Sequence, residues 1–242
     1  MIRNDLHVHS IQSACGLHTL LEIVEIADRK GMRLVNISDH GNALGREMNF
    51  WVLSDKRRRP EKISSSRGKI ISILAGIETS ILDIDGNSDF PQKLTSRFDL
   101  VSAGFHHPIS KSADDNTTAL ENYLAQYPLD ILTHPCIATF PHNLEKVVAL
   151  SLEHGFALEV NNTNLRTDKT NIKQLEKLIN LARESGAILV ENSDGHSFFE
   201  IGENDKIEEL LKELRIDGDE IFINRDDLGL EKFLSRRKKM RE

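Results

Sequence analysis

Six times along this chain an apolar run of strand length stops at a histidine or a carboxylate. The stops are Asp5-Leu6-His7-Val8-His9-Ser10, Ser38-Asp39-His40, Gly76-Ile77-Glu78, Phe105-His106-His107-Pro108, Thr133-His134-Pro135 and Ser193-Asp194-Gly195-His196. Residues i and i+2 of a strand point to the same face, so His7 and His9 can aim two imidazoles at one point. A single His-x-His pair is commonplace in cores and on surfaces. Its repetition at successive strand ends is not, and a fold that suits this chain must bring those ends together.

Segments of helical periodicity fill the gaps. Over 19–30, Leu20, Ile23, Val24 and Ala27 recur at helical spacing, with Thr19 placed to cap the start and Gly31 to end it. Further helices are predicted near 118–126, over 144–154, over 171–185, and late in the chain over 205–214 and 226–237. The strand runs are 2–8, 33–38, 70–75, 100–105, 130–133, 156–160 and 187–191. Alternation of this kind means parallel strands joined by right-handed crossovers. The spacing alone suits an open or a closed sheet. The polar residues favour closure, because a barrel gathers groups from several strand ends at one mouth.

The 242 residues match one α/β barrel, and we expect a single domain over 1–242. A formal net charge of −7 argues against general nucleic-acid binding. Cys15 and Cys136 are too few for a disulfide framework, so a cytoplasmic protein is expected. No leader-like start and no run of the roughly 18 apolar residues that a membrane span needs is present. Oligomeric state is left open. Three stretches break the pattern. The basic run 55–62 reads as a solvated loop or a phosphate-attracting lid, 81–87 as a small hairpin with an Asp-Gly turn, and Arg236-Arg237-Lys238-Lys239 as a frayed, charged helix end.

Imidazole and carboxylate are the usual ligands of zinc and also suit manganese and iron. The candidates are His7, His9, His40, Glu78, His106, His134, Asp194 and His196. Eight groups exceed one tetrahedral ion and suffice for two or three divalent ions sharing a carboxylate. Glu78 is the natural bridge, as the acidic residue at the end of the third strand. Such a cluster polarises phosphoryl oxygens and acidifies a bound water, so no serine or cysteine nucleophile is required. His107 should point away from His106. His142 and His154, near or within a helix, read as solvated residues. Asp5 and Asp39 are placed to orient neighbouring histidines or to pair with basic groups. Cys136 is expected to be buried and inert. Arg166 and Lys169 are either phosphate-binding groups or surface charges. No Gly-x-Ser-x-Gly elbow, phosphate loop, dinucleotide fingerprint or paired Cys-x-x-Cys is present.

In chain order, Asp-x-His-x-His, Ser-Asp-His, Glu, Phe-His, Thr-His-Pro, Glu-Val-Asn-Asn and Asp-x-His resemble the motifs of the PHP family, named for polymerase and histidinol phosphatase. Within it the chain is most similar to the stand-alone bacterial phosphatases, from Asp5 to about Phe233. The resemblance implies a distorted (β/α)7 barrel holding two or three ions of zinc, manganese or iron. It implies one ion on His7, His9, Glu78 and Asp194, a second on Glu78, His106 and His134, and a third position with His40 and His196. Relatives with a full third site carry a further histidine where this chain has Cys15. A Cys15 thiolate, a substitute in His18, or a weakly held third ion would each answer that departure. The implied activity is a metal-dependent phosphoesterase that hydrolyses a small-molecule phosphate monoester by attack of metal-bound hydroxide. A metal-bound water or His107 would serve as general acid. Two other readings stand beside it. One is a PHP-type exonuclease acting on oligonucleotide ends, favoured by the basic stretch 56–59 and opposed by the net charge and the lack of a polymerase region. The other is a non-catalytic metal-binding interaction domain, whose mark would be loss of core ligands.

Overall fold

The computed structural model describes residues 1–13, 15–42 and 60–241. Of the basic run 55–62, read as a solvated loop or a phosphate-attracting lid, residues 55–59 lie outside them. Among the described residues eight strands form one sheet: β1 (Asn4–Val8), β2 (Leu34–His40), β3 (Lys62–Ser64), β4 (Ile70–Ser80), β5 (Leu100–Gly104), β6 (Ile131–Leu132), β7 (Ala157–Asn161) and β8 (Leu189–Asn192). Seven are parallel in the order β1-β2-β4-β5-β6-β7-β8, and β3 pairs antiparallel with β4. The two edges nearly close. Leu6 N donates to Asn192 Oδ1 at 3.0 Å, His9 N donates to Gly195 O at 3.0 Å, and Val8 bridges Gly195. The result is a nearly closed, distorted (β/α)7 barrel of the α/β class.

The helices described are α1 (Leu20–Arg29), α2 (Ala113–Leu124), α3 (Leu144–His154), α4 (Asn162–Arg166), α5 (Ile172–Ser185), α6 (Asp205–Leu214), α7 (Gly218–Ile221) and α8 (Asp227–Arg241). Local chemistry sets their ends. Thr19 and Glu22 form a capping box at α1, and Asn143 and Asn171 cap α3 and α5 through their side chains. Leu175, Leu178, Ile179 and Ala182 of α5 are buried as its periodicity requires. Among the described residues no helix is long and apolar enough to cross a membrane.

The barrel interior changes character along its axis. At the N-terminal end of the strands, Leu6, Leu100, Ile131, Ala157 and Val190 pack together with Leu230 and Phe233 of α8, which plugs that end. Two residues beyond Leu34, Leu100, Ile131, Ala157 and Val190 come Asn36, Ser102, Thr133, Glu159 and Asn192, all buried. An apolar plug below a polar layer leaves the functional groups at the C-terminal mouth. In β1 the register shifts between Asp5 and Val8. Asn4 pairs with the inward-facing Leu34, whereas Val8 pairs with Ile37 and packs outward against α1. That irregularity is what turns both His7 and His9 into the barrel.

The ends of elements differ from the expected ones where tertiary pairing extends them. β4 runs on to Ser80, because β2 and β5 pair with it along its length. The short β3 falls where a loop was expected. The hairpin at 81–88 is present, closed by an Ile81–Ser88 bridge. The C-terminal basic cluster is not simply a frayed end: Arg237 is buried, donates to Asp130 Oδ1 at 2.8 Å, and also bonds the carbonyls of Leu129 and His154.

Candidate metal centre

Glu78 stands at the centre of the mouth. Its Oε2 faces His7 Nε2 at 3.3 Å, His9 Nε2 at 3.5 Å and His40 Nδ1 at 2.9 Å. Its Oε1 faces His134 Nε2 at 3.0 Å and His106 Nε2 at 3.3 Å. Asp194 Oδ1 lies 3.1 Å from His9 Nε2 and 3.5 Å from His7 Nε2. Three sets of donors each fit within a 4.8 Å span: His7, His9 and Asp194; His40, Glu78 and His106; and His9, Cys15, His40 and His196. All eight candidate ligands and Cys15 therefore meet at one place.

The strands and their turns aim these groups. His134 and Asp194 adopt left-handed backbone, with φ of 37° and 52°, a conformation that costs energy in residues other than glycine. Gly104 makes room beside them, since a Cβ there would come within 2.3 Å of Thr133 Oγ1 and 2.6 Å of His134 Cε1. Supporting hydrogen bonds fix the rings: Glu159 Oε1 holds His7 Nδ1 at 2.7 Å, Ser13 Oγ lies 3.1 Å from His9 Nδ1, and Ser80 Oγ lies 2.9 Å from His106 Nδ1.

The donors are arranged for cations rather than for one another. Glu78 Oε2, His40 Nδ1 and His106 Nε2 are buried and make no hydrogen bond, although they face each other. Imidazole nitrogens, carboxylates and one thiol with lone pairs converging is the chemistry that holds zinc and related divalent ions. The fields among these groups are strong. Burial disfavours a charge on His7, and Glu159, Glu78 and Asp194 outweigh it, holding its pKa well above the ordinary value. His9 goes the other way, pushed well down by burial and by His40. Burial opposes ionisation of Cys15, yet hydrogen bonds from His196 and His40 bring its thiol down to about 7.

A cavity of about 270 Å³ opens onto the cluster, walled by Phe105, Phe140, Ile137, Thr139, Asn164 and Lys169. No family model matches the chain. A probable phosphatase from Shewanella piezotolerans is 32% identical over 236 residues, covering 96% of this chain and 93% of that protein. The chain belongs to this family of probable phosphatases. The phosphatase also shares its fold with histidinol phosphate phosphatase from Lactococcus lactis, solved with zinc, L-histidinol and phosphate, at a TM-score of 0.52 and 16% identity over 89% of this chain and 94% of that one. A chain in archaeal ribonuclease P has the same fold, at a TM-score of 0.54 and 11% identity over 97% of this chain and 90% of that one.

Several sequence expectations for the phosphatase are corrected by its geometry. His18 lies outside the donor sets found among the described residues, its Nε2 accepting from Phe198 N at 2.9 Å. Asp39 does not orient His40. It accepts from Ser10 N, Ser10 Oγ and Ser13 Oγ, and so reaches His9 through Ser13. Asp5 holds the backbone N–H groups of His7, Ser193 and Gly202 rather than a ring. Arg166 is committed to Asp205 at 2.5 Å. His142 is buried, edge-on to Phe105 at 4.7 Å, and burial pushes it down to about 4. As expected, His107 is exposed beside the inward His106, and Cys136 is buried, its thiol pushed far up by desolvation. Glu159 opens the Glu-Val-Asn-Asn motif, but the sequence assigns it no role. Its signal was a carboxylate inside an apolar strand two residues before Asn161, where nothing but an inward polar partner accounts for it.

Proposed function

We propose that the phosphatase is a PHP-type enzyme whose single domain over 1–242 hydrolyses a small-molecule phosphate monoester with two or three divalent ions. The observation that carries this reading is the division of Glu78, with one oxygen facing His7, His9 and His40 and the other facing His106 and His134. A single carboxylate placed so can serve two ions. His7, His9, Glu78 and Asp194 would hold the first ion, Glu78, His106 and His134 the second, and His40, His196 and Cys15, with His9, the third.

When bound, divalent ions there supply positive charge for phosphoryl oxygens and acidify a water for in-line displacement. The chain's own residues do the rest. Glu159 holds the Nδ1 side of His7, so its Nε2 lone pair faces the cluster. Ser13 and Ser80 do the same for His9 and His106. Phe105, Phe140 and Ile137 form an apolar wall that limits the cavity to a small leaving group and thins the water around the reacting oxygens. Both cysteines are free, which suits the reducing cytoplasm. No ligand has been lost from the sets, which opposes a non-catalytic domain. The test is Glu78→Gln, assayed by elemental analysis and by phosphate release from a panel of monoesters. We expect fewer ions per chain and loss of release by roughly a hundredfold or more in a barrel that still folds. Unchanged metal content and activity would reject the bridge.

A further inference from the structure

Asn164 shares the cavity with the cluster, and no step above uses it. It is 5% exposed, and its Nδ2 is buried without a hydrogen-bond partner among the described residues. A buried amide left unpaired is costly, and native proteins pair nearly all of them. The backbone around it is tightly held. Asn164 N donates to Asn161 Oδ1 at 2.9 Å, and Asn161 Nδ2 donates to Glu159 Oε2 at 2.9 Å and Asp194 Oδ2 at 3.1 Å. Asn164 therefore rides on the same scaffold that places Asp194 in the cluster. Beyond it, Asp168 turns the chain with φ of 55°. Lys169 N then donates to Asn164 O and Lys169 O accepts from Ala138 N, each at 2.9 Å, while Ile137 bridges Thr170. The two loops are thus zipped into one wall, with Asn164 buried in the cavity and Lys169 exposed at its rim.

We propose that Asn164 is a substrate-binding residue whose Nδ2–H donates to a phosphoryl oxygen of the monoester, with Lys169 at the rim drawing in the dianion. This rests on the phosphatase reading and extends it to the wall facing the cluster. A neutral donor suits that wall. It pairs with a charged acceptor through a charge-assisted hydrogen bond, yet does not repel divalent ions as a buried cation would. Because Nδ2 itself has almost no accessible surface, a turn of the side-chain amide brings its N–H to the cavity while the backbone stays held by Asn161.

The experiment uses the zinc-replete protein and two variants, Asn164→Ala and Asn164→Asp. Binding of inorganic phosphate is measured by titration calorimetry, KM and kcat with p-nitrophenyl phosphate, and zinc content by mass spectrometry. We expect Asn164→Ala to weaken phosphate binding and raise KM by about tenfold. Asn164→Asp should weaken both further, because its carboxylate faces the phosphate. A packing role predicts the opposite order, since Asp is isosteric with Asn, and it keeps the test readable if the alanine variant unfolds. Zinc content should not change. Phosphate affinity within twofold of wild type in both variants overturns the assignment. So does loss of zinc in place of phosphate affinity, which would make Asn164 part of the Asp194 scaffold. Wild-type protein that holds zinc but neither binds nor releases phosphate rejects the phosphatase reading itself.

Discussion

Cys15 supplies the one thiol in a set otherwise made of His9, His40 and His196. A thiolate is a softer and stronger zinc ligand than a hydroxyl, and the hydrogen bonds from His196 and His40 already favour its ionised form. Cys15→Ser is therefore expected to remove one zinc selectively and leave two, read by mass spectrometry during zinc titration. Three ions held with unchanged affinity would rule out a ligand role. His18→Ala should leave the ion count alone, because His18 is engaged with the Phe198 backbone. Glu159 shows what a residue-scale reading can overlook. Its oxygens accept from the nearby Asn161 and from His7, His134 N and Asn192, three groups far along the chain that only the folded barrel collects.

Among the elements, α8 and the approach to α3 carry the clearest consequences. α8 closes the apolar end of the barrel and is pinned by Arg237, 3% exposed, to Asp130, 0% exposed. Removing one partner of a buried ion pair strands the other, at a cost of roughly 3–5 kcal/mol. Arg237→Met should lower stability by about that amount in urea unfolding, without altering the ligand sets at the opposite end. His142, packed on Phe105 just before α3, is depressed by burial to about 4. The unfolded chain binds this proton near pH 6.5, so stability from the neutral form is full above that pH and declines as pH falls towards 4. Between pH 7 and pH 5 the wild type should lose about 2 kcal/mol more than His142→Leu. Equal losses in the two proteins would show that His142 does not titrate this way.

For the molecule as a whole, donors drawn from six strand ends would make metal binding a barrel-wide event. Ions that bind only the folded state stabilise it, by about 2.7 kcal/mol per site at a hundredfold excess over Kd. For a chain of this size that corresponds to a rise in Tm of roughly 5–10 °C per firmly held ion, reversed by chelation. A melting curve indifferent to zinc and to chelator would contradict the clustered centre. The parallel α/β order and the eight candidate donors were legible in the sequence, because strand period, helix caps and run-ending histidines are local patterns. Closure of the sheet and convergence of those donors follow from register. The shift in β1 turns His7 and His9 inward, β4 is lengthened by its neighbours, and the left-handed turns at His134 and Asp194 complete the aim. Arg237 and His142 looked like solvated residues because sequence shows charge and helix position but not what packs above them. Residue type along the chain set which chemistry is available. Only tertiary packing decided which groups converge, which serve as props and which, like Asn164, line the cavity, because those distances join residues that are remote in sequence.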